Sequence, residues 1–131
     1  MPWDQSDEGQ GDQARQGIVV QSGGGERLPR GPRFHRILVE LPELEVLDER
    51  FGPDFEGVEP HRHLDHVDCF YVLEGEAEFV VGNEIVHAGP GTYVAVPVGV
   101  SHGFRNVGEG ELRMLNIHAP NTGFARRMRE A

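Results

Sequence analysis

The chain contains no lysine, a single cysteine and no long apolar run, and each shortage removes a class of explanation. All 12 cationic side chains are arginines, which excludes Schiff-base or amine-base chemistry on a lysine. Cys69 stands alone, so no internal disulfide can form. It also follows Asp68, whose charge would raise a thiol pKa, so a packed or surface thiol is expected here and not a nucleophile. No stretch approaches the roughly 18 to 20 apolar residues that span a bilayer. The first residues offer neither the basic region nor the apolar segment of a signal peptide. A cytoplasmic protein with no membrane partner is therefore expected. Positive charge is scarce too: 12 arginines against 22 acidic residues give a formal charge of −10. Nucleic acid would be repelled over most of such a surface, and no nucleic-acid partner is expected.

At 131 residues the length suits one domain with one sizeable core. Residues 1–32 carry seven glycines and few large apolar side chains, with breakers at Gly23-Gly24-Gly25 and Pro29-Arg30-Gly31-Pro32. Such a stretch cannot offset its ordering entropy by burial, and a flexible N-terminal tail is the expectation. Its one apolar run, Ile18-Val19-Val20, could pair as an edge strand, including on a second copy of the chain. Residues 33–131 are expected to form the domain proper.

From Phe34 onward, short alternating segments separated by turn residues point to an all-β barrel or sandwich. Strands are expected over 34–40, 44–51, 68–74, 77–81, 85–87, 92–96, 101–106 and 112–118, with one short helix over 123–130. The order suits a jelly-roll-like barrel. A period of two puts Asp68, Phe70 and Val72 on one face of their strand, away from Cys69, and groups Met114, Asn116 and His118 on another.

Histidine supplies the chemistry. His61-x-His63 on a strand would present two imidazoles on one face, about 7 Å apart along the chain. Asp68 follows five residues after His63 and can return a carboxylate across the turn, while His102 brings a third nitrogen from another strand. Three histidines and one carboxylate suit a divalent transition metal: Fe, Mn, Ni, Co, Cu or Zn. His66 reads as a solvated residue at the tip of the connecting loop, with a substitute ligand as the alternative. His35, His87 and His118 read as structural.

These stretches resemble the paired motifs of the cupin superfamily. The second motif, G-x5-P-x-G-x2-H-x3-N, is met at every fixed position by Gly91, Pro97, Gly99, His102 and Asn106. The first, G-x5-H-x-H-x(3,4)-E-x6-G, is met by His61, His63 and Gly75. Its leading glycine is shifted to Gly57, and Asp68 stands where the family has a metal-binding glutamate. An aspartate is one methylene shorter, so three roles stay open: direct ligand, holder of a metal-bound water, or orienter of a ligand histidine.

The resemblance implies a small single-domain metal-dependent cupin, with a dioxygenase acting on a small organic substrate as the leading expectation. His61, His63 and His102 would hold the ion, and Asp68 would complete the shell and double as a catalytic base. Phe70, Phe79 and Phe104 would form the dry wall of the pocket. The alternatives are a non-catalytic metal- or small-ligand-binding cupin and a cupin isomerase or lyase. Tyr71 and Tyr93 are expected in the core. Arg36 or Arg105 could hold a substrate carboxylate, Arg126-Arg127-x-Arg129 should complement a helix C-terminus, and a homodimer is expected.

Overall fold

The computed structural model describes residues 16–131. Ten strands and one helix follow in order: β1 (Glu26–Arg30), β2 (Arg33–Glu40), β3 (Glu45–Phe51), β4 (Val58–His61), β5 (Val67–Glu74), β6 (Ala77–Val81), β7 (Glu84–Ala88), β8 (Tyr93–Val96), β9 (His102–Asn106), β10 (Leu112–Ala119) and α1 (Phe124–Glu130). They build two antiparallel sheets, one of six strands in the order β1-β2-β3-β10-β5-β8 and one of four in the order β4-β9-β6-β7. The fold is a jelly-roll-like β-sandwich with a short C-terminal helix.

The sheet begins earlier than composition suggested. Glu26–Arg30, inside the glycine-rich first 32 residues, pairs along its whole length with Arg33–Ile37 of β2. Pro29 lacks an N–H, but a strand at the sheet edge tolerates that loss. Ile18, Val19 and Val20 lie exposed and form no strand. Residues 1–15 of the expected tail lie outside the described residues.

Alternation decides which side chains enter the barrel, and along three strands the entering set changes from apolar to polar at the same end. On β10 the buried positions are Leu112, Met114, Asn116 and His118. On β5 they run, in the opposite chain direction, Val72, Phe70 and Asp68. On β9 Phe104 gives way to His102. The pairing register sets Phe70 opposite Asn116 and Asp68 opposite His118, so the polar ends meet. The apolar half is a continuous cluster that includes Phe51, Phe70, Val72, Phe79, Phe104, Leu112 and Met114. Tyr71 and Tyr93 point the other way and are exposed, contrary to the expected core placement, because their strands' odd positions face solvent.

Gly75 closes the β5–β6 turn with φ +85°, and a Cβ there would sit 2.4 Å from the Glu111 carbonyl oxygen. Both the left-handed backbone and the backbone contact require glycine. Gly75→Ala is expected to cost about 1–3 kcal/mol, read as a lowered midpoint in urea with the far-UV spectrum of the native state retained. An unchanged midpoint would show that the turn relaxes freely.

Candidate metal centre and cavity

The structure brings His61, His63, Asp68 and His102 together. Each offers one ligand atom, and these atoms all lie within 4.8 Å of one another. The two sheets supply them from opposite sides. His61 ends β4 and pairs directly with His102 at the start of β9, while Asp68 enters from β5 of the larger sheet. His63 lies beyond the end of β4 and not on the strand, so strand pleat does not orient it. Its carbonyl instead accepts a hydrogen bond from the Gly99 N–H at 2.8 Å, which pins the loop to the Pro97–Val100 turn. Within that arrangement His61 Nε2 and His63 Nε2 are 3.1 Å apart.

Backbone carbonyls fix two of the rings. His61 Nδ1 lies 2.8 Å from the Glu59 oxygen and His102 Nδ1 lies 3.0 Å from the Val100 oxygen. A carbonyl only accepts, so Nδ1 carries a proton in both rings, and Nε2 is the atom turned inward. Asp68 Oδ2 is 3.0 Å from His102 Nε2 and 3.4 Å from His63 Nε2. The shorter aspartate therefore reaches the cluster without a strand shift.

Two further histidines close around the same carboxylate. His66 is buried, not solvated as its loop position suggested: its ring stacks on His63 at 4.2 Å between centroids and meets the edge of His118 at 5.0 Å. His118 is buried on β10, with Nε2 3.4 Å from Asp68 Oδ1. Asn116, on the same inward face, donates to Asp68 Oδ1 at 2.6 Å. A sequence signal for His118 existed, since Met114, Asn116 and His118 share a period of two that starts from apolar Leu112. The sequence offered His66 only as a substitute ligand, and its burial went unsignalled because part of its cover comes from distant β10.

Electrostatics follow from this crowding. Burial alone would raise the Asp68 pKa, but hydrogen bonds from His102, His118 and Asn116 outweigh it and hold the carboxyl well below the usual range. That makes Asp68 a permanent anion and a poor proton acceptor. Burial opposes a charge on His118, yet Asp68 and Glu45 push its pKa up to about 9. His102 is also raised: burial opposes the shift, and the Asp68 carboxylate and the Val100 carbonyl outweigh it. His63 moves down to about 4 through burial and the neighbouring His66. Without a metal, positive charge at the cluster is thus held on His118, and the same carboxylate favours the charged form of His102.

The cluster opens into a cavity of about 190 Å³. Phe51, Phe70, Phe104 and Phe124 form its apolar wall, whereas Phe79, expected there, is fully buried in the core. Arg36 and Arg105 do not line it: Arg36 is buried against Asp48 at 2.7 Å, and Arg105 pairs with Glu78 on the outside. Arg33 and Arg127 line the cavity instead. Arg127 belongs to the run read as serving only the helix end, and Arg129 of that run pairs with Glu26 and Glu40. On the same wall, His35 Nδ1 is held by Glu49, while its buried Nε2 has no hydrogen-bond partner among the described residues.

A family profile described as "Cupin domain" matches residues 48–118. Quercetin 2,3-dioxygenase of Bacillus subtilis (strain 168) is 29% identical over 90 residues, which is 66% of this chain and 27% of that protein. The chain spans between about a quarter and a half of the curated relatives it matches. Among solved structures, KdgF from Halomonas sp. superposes with a TM-score of 0.72 at 20% identity, covering 81% of this chain and 96% of that one. An RmlC-like cupin from Shewanella frigidimarina NCIMB 400 gives 0.69 at 24% identity, covering 82% and 94%.

Proposed function

We propose, from the premise that this chain belongs to the cupin family, that it is a metal-dependent enzyme, a dioxygenase acting on a small organic substrate. The observation that carries the reading is the donor set: inward-facing imidazole nitrogens, two of them oriented by backbone carbonyls, converge with a carboxylate that stays ionised. Three nitrogens and one oxygen fit a divalent first-row ion. When bound, such an ion supplies Lewis-acid and redox chemistry with positions open to small ligands. The similarity to quercetin 2,3-dioxygenase supports the oxidative assignment.

The chain's own residues set the rest. Phe51, Phe70, Phe104 and Phe124 exclude water and pack a flat, apolar substrate beside the cluster. Asp68 holds negative charge at the centre, and His35 Nε2 accepts a hydrogen bond from a polar group of the substrate. With Asp68 so weakly basic, the proton acceptor falls to His35, whose Nδ1 is backed by the Glu49 carboxylate. That dyad is also the observation favouring a second reading, an isomerase or lyase using acid–base chemistry alone.

Oxygen uptake separates the two. The metal-reconstituted protein is expected to consume dioxygen with a member of a panel of phenolic, enolic and thiol substrates. Turnover that persists unchanged under anaerobic conditions would replace the first reading with the second, and absence of turnover under both conditions would leave a binding protein. A homodimer belongs to the same proposal, with an expected mass near twice 14.6 kDa by light scattering. A monomer at micromolar concentration would count against it.

A further inference from the structure

A second trio of ligand atoms shares Asp68 with the first. His66, Asp68 and His118, all buried, bring one nitrogen or oxygen each within 4.8 Å of one another. A carboxylate holds each imidazole from behind. His66 Nδ1 lies 2.8 Å from Asp65 Oδ1, and His118 Nδ1 lies 2.6 Å from Glu45 Oε2. The fully buried Glu45 is itself fixed by the Ala125 N–H at 3.1 Å. Carboxylates accept, so Nδ1 carries a proton in both rings and Nε2 is the atom that would serve as ligand, on His118 after a cation displaces its second proton. This is the carboxylate–histidine arrangement that orients imidazoles toward metals. The two carboxylate oxygens of Asp68 divide the neighbours between them: Oδ2 faces His63 and His102, and Oδ1 faces His118.

We propose that the barrel has two adjacent divalent-metal positions bridged by Asp68, one on His61, His63 and His102 and the other on His66 and His118. The inference rests on the metal-binding reading above. A structural salt bridge running Glu45–His118–Asp68 would explain His118, but it gives no role to His66. That ring spans the two clusters, stacked on His63 and edge-on to His118. Two nitrogens and a carboxylate oxygen are borderline donors suited to zinc, cobalt or nickel. The buried carboxylates Asp68 and Glu45 offset the charge of a second cation.

The test is stoichiometry. The chelator-treated full chain is titrated with Zn(II) by calorimetry, and bound metal is counted by elemental analysis after gel filtration. Two equivalents are expected for the unmutated chain, one for His66→Ala/His118→Ala and one for His61→Ala/His102→Ala. His66→Ala alone, a loop change, serves if the double variant fails to fold. One equivalent in the unmutated chain overturns the second position and leaves the first reading standing, whereas none overturns both. A second equivalent that disappears in His87→Ala, whose exposed ring lies 3.1 Å from Glu76, would be an adventitious surface ion and would overturn the proposal as well.

Discussion

Asp68→Asn is expected to abolish metal binding and to destabilise the metal-free barrel. The change is nearly isosteric, so its effect is that of the charge. Asp68 is 4% exposed, and its two oxygens face His63, His102, His118 and Asn116. Removing the anion leaves the charged His118 without one of its two counter-charges and takes away the group that favours the charged form of His102. Breaking a buried pair of this kind costs roughly 3–5 kcal/mol, on the order of 10–20 °C in melting temperature for a chain of this size. The same removal deletes the ligand that both proposed metal positions share. Differential scanning calorimetry of chelated protein reads the first effect and elemental analysis the second. An Asp68→Asn variant that melts normally and still carries its metal would place the carboxylate outside the chemistry. Asp68→Glu is a weaker perturbation in a different direction: aspartate already reaches the cluster, so an added methylene overpacks a buried site at about 1–3 kcal/mol.

His102→Ala should lower affinity at the first metal position by more than the roughly 10- to 100-fold expected for losing an outer partner of a ligand. His102 is 1% exposed, its Nδ1 is committed to Val100, and its Nε2 faces Asp68. His61→Ala should act in the same direction, since it removes a nitrogen 3.1 Å from His63 Nε2. His87→Ala should leave affinity unchanged, because His87 lies on the outside of β7. Competition against a chromophoric chelator measures all three. Equal affinity in His102→Ala and the unmutated chain would move the ion away from this cluster.

Much of this was legible in the residues. The strands from Phe34 onward follow from alternation because each has a wet face and a dry one. Asp68 could be placed inside with Phe70 and Val72 by the same rule. The strands that alternation did not reveal were β1 and β4, Glu26–Arg30 and Val58–His61. Both lie at sheet edges and contain proline, Pro29 and Pro60, so neither shows the apolar alternation of a half-buried strand. Reading His61-x-His63 as lying on one strand also carried that strand too far, since β4 ends at His61 and His63 belongs to the loop. The burial of His66 and His35 was beyond reach for another reason, although the sequence offered His66 as a substitute ligand. Their burial depends on rings from distant segments, His118 and Phe124, that no local pattern connects.

The shared switch from apolar to polar along β5, β9 and β10 separates two tasks within one barrel. The fully buried Val72, Phe79, Leu112 and Met114 knit both sheets together at the far end from the histidines. That end is expected to assemble the barrel by itself, unlike domains whose folding energy is their metal's binding energy. The histidine end is then a finished vessel before it is filled. A metal at the proposed positions could then be loaded, exchanged or withdrawn after synthesis without unravelling its container, with the identity of the ion left to supply and coordination preference. Retention of the native far-UV spectrum in exhaustively chelated protein is the observation that this order of events requires.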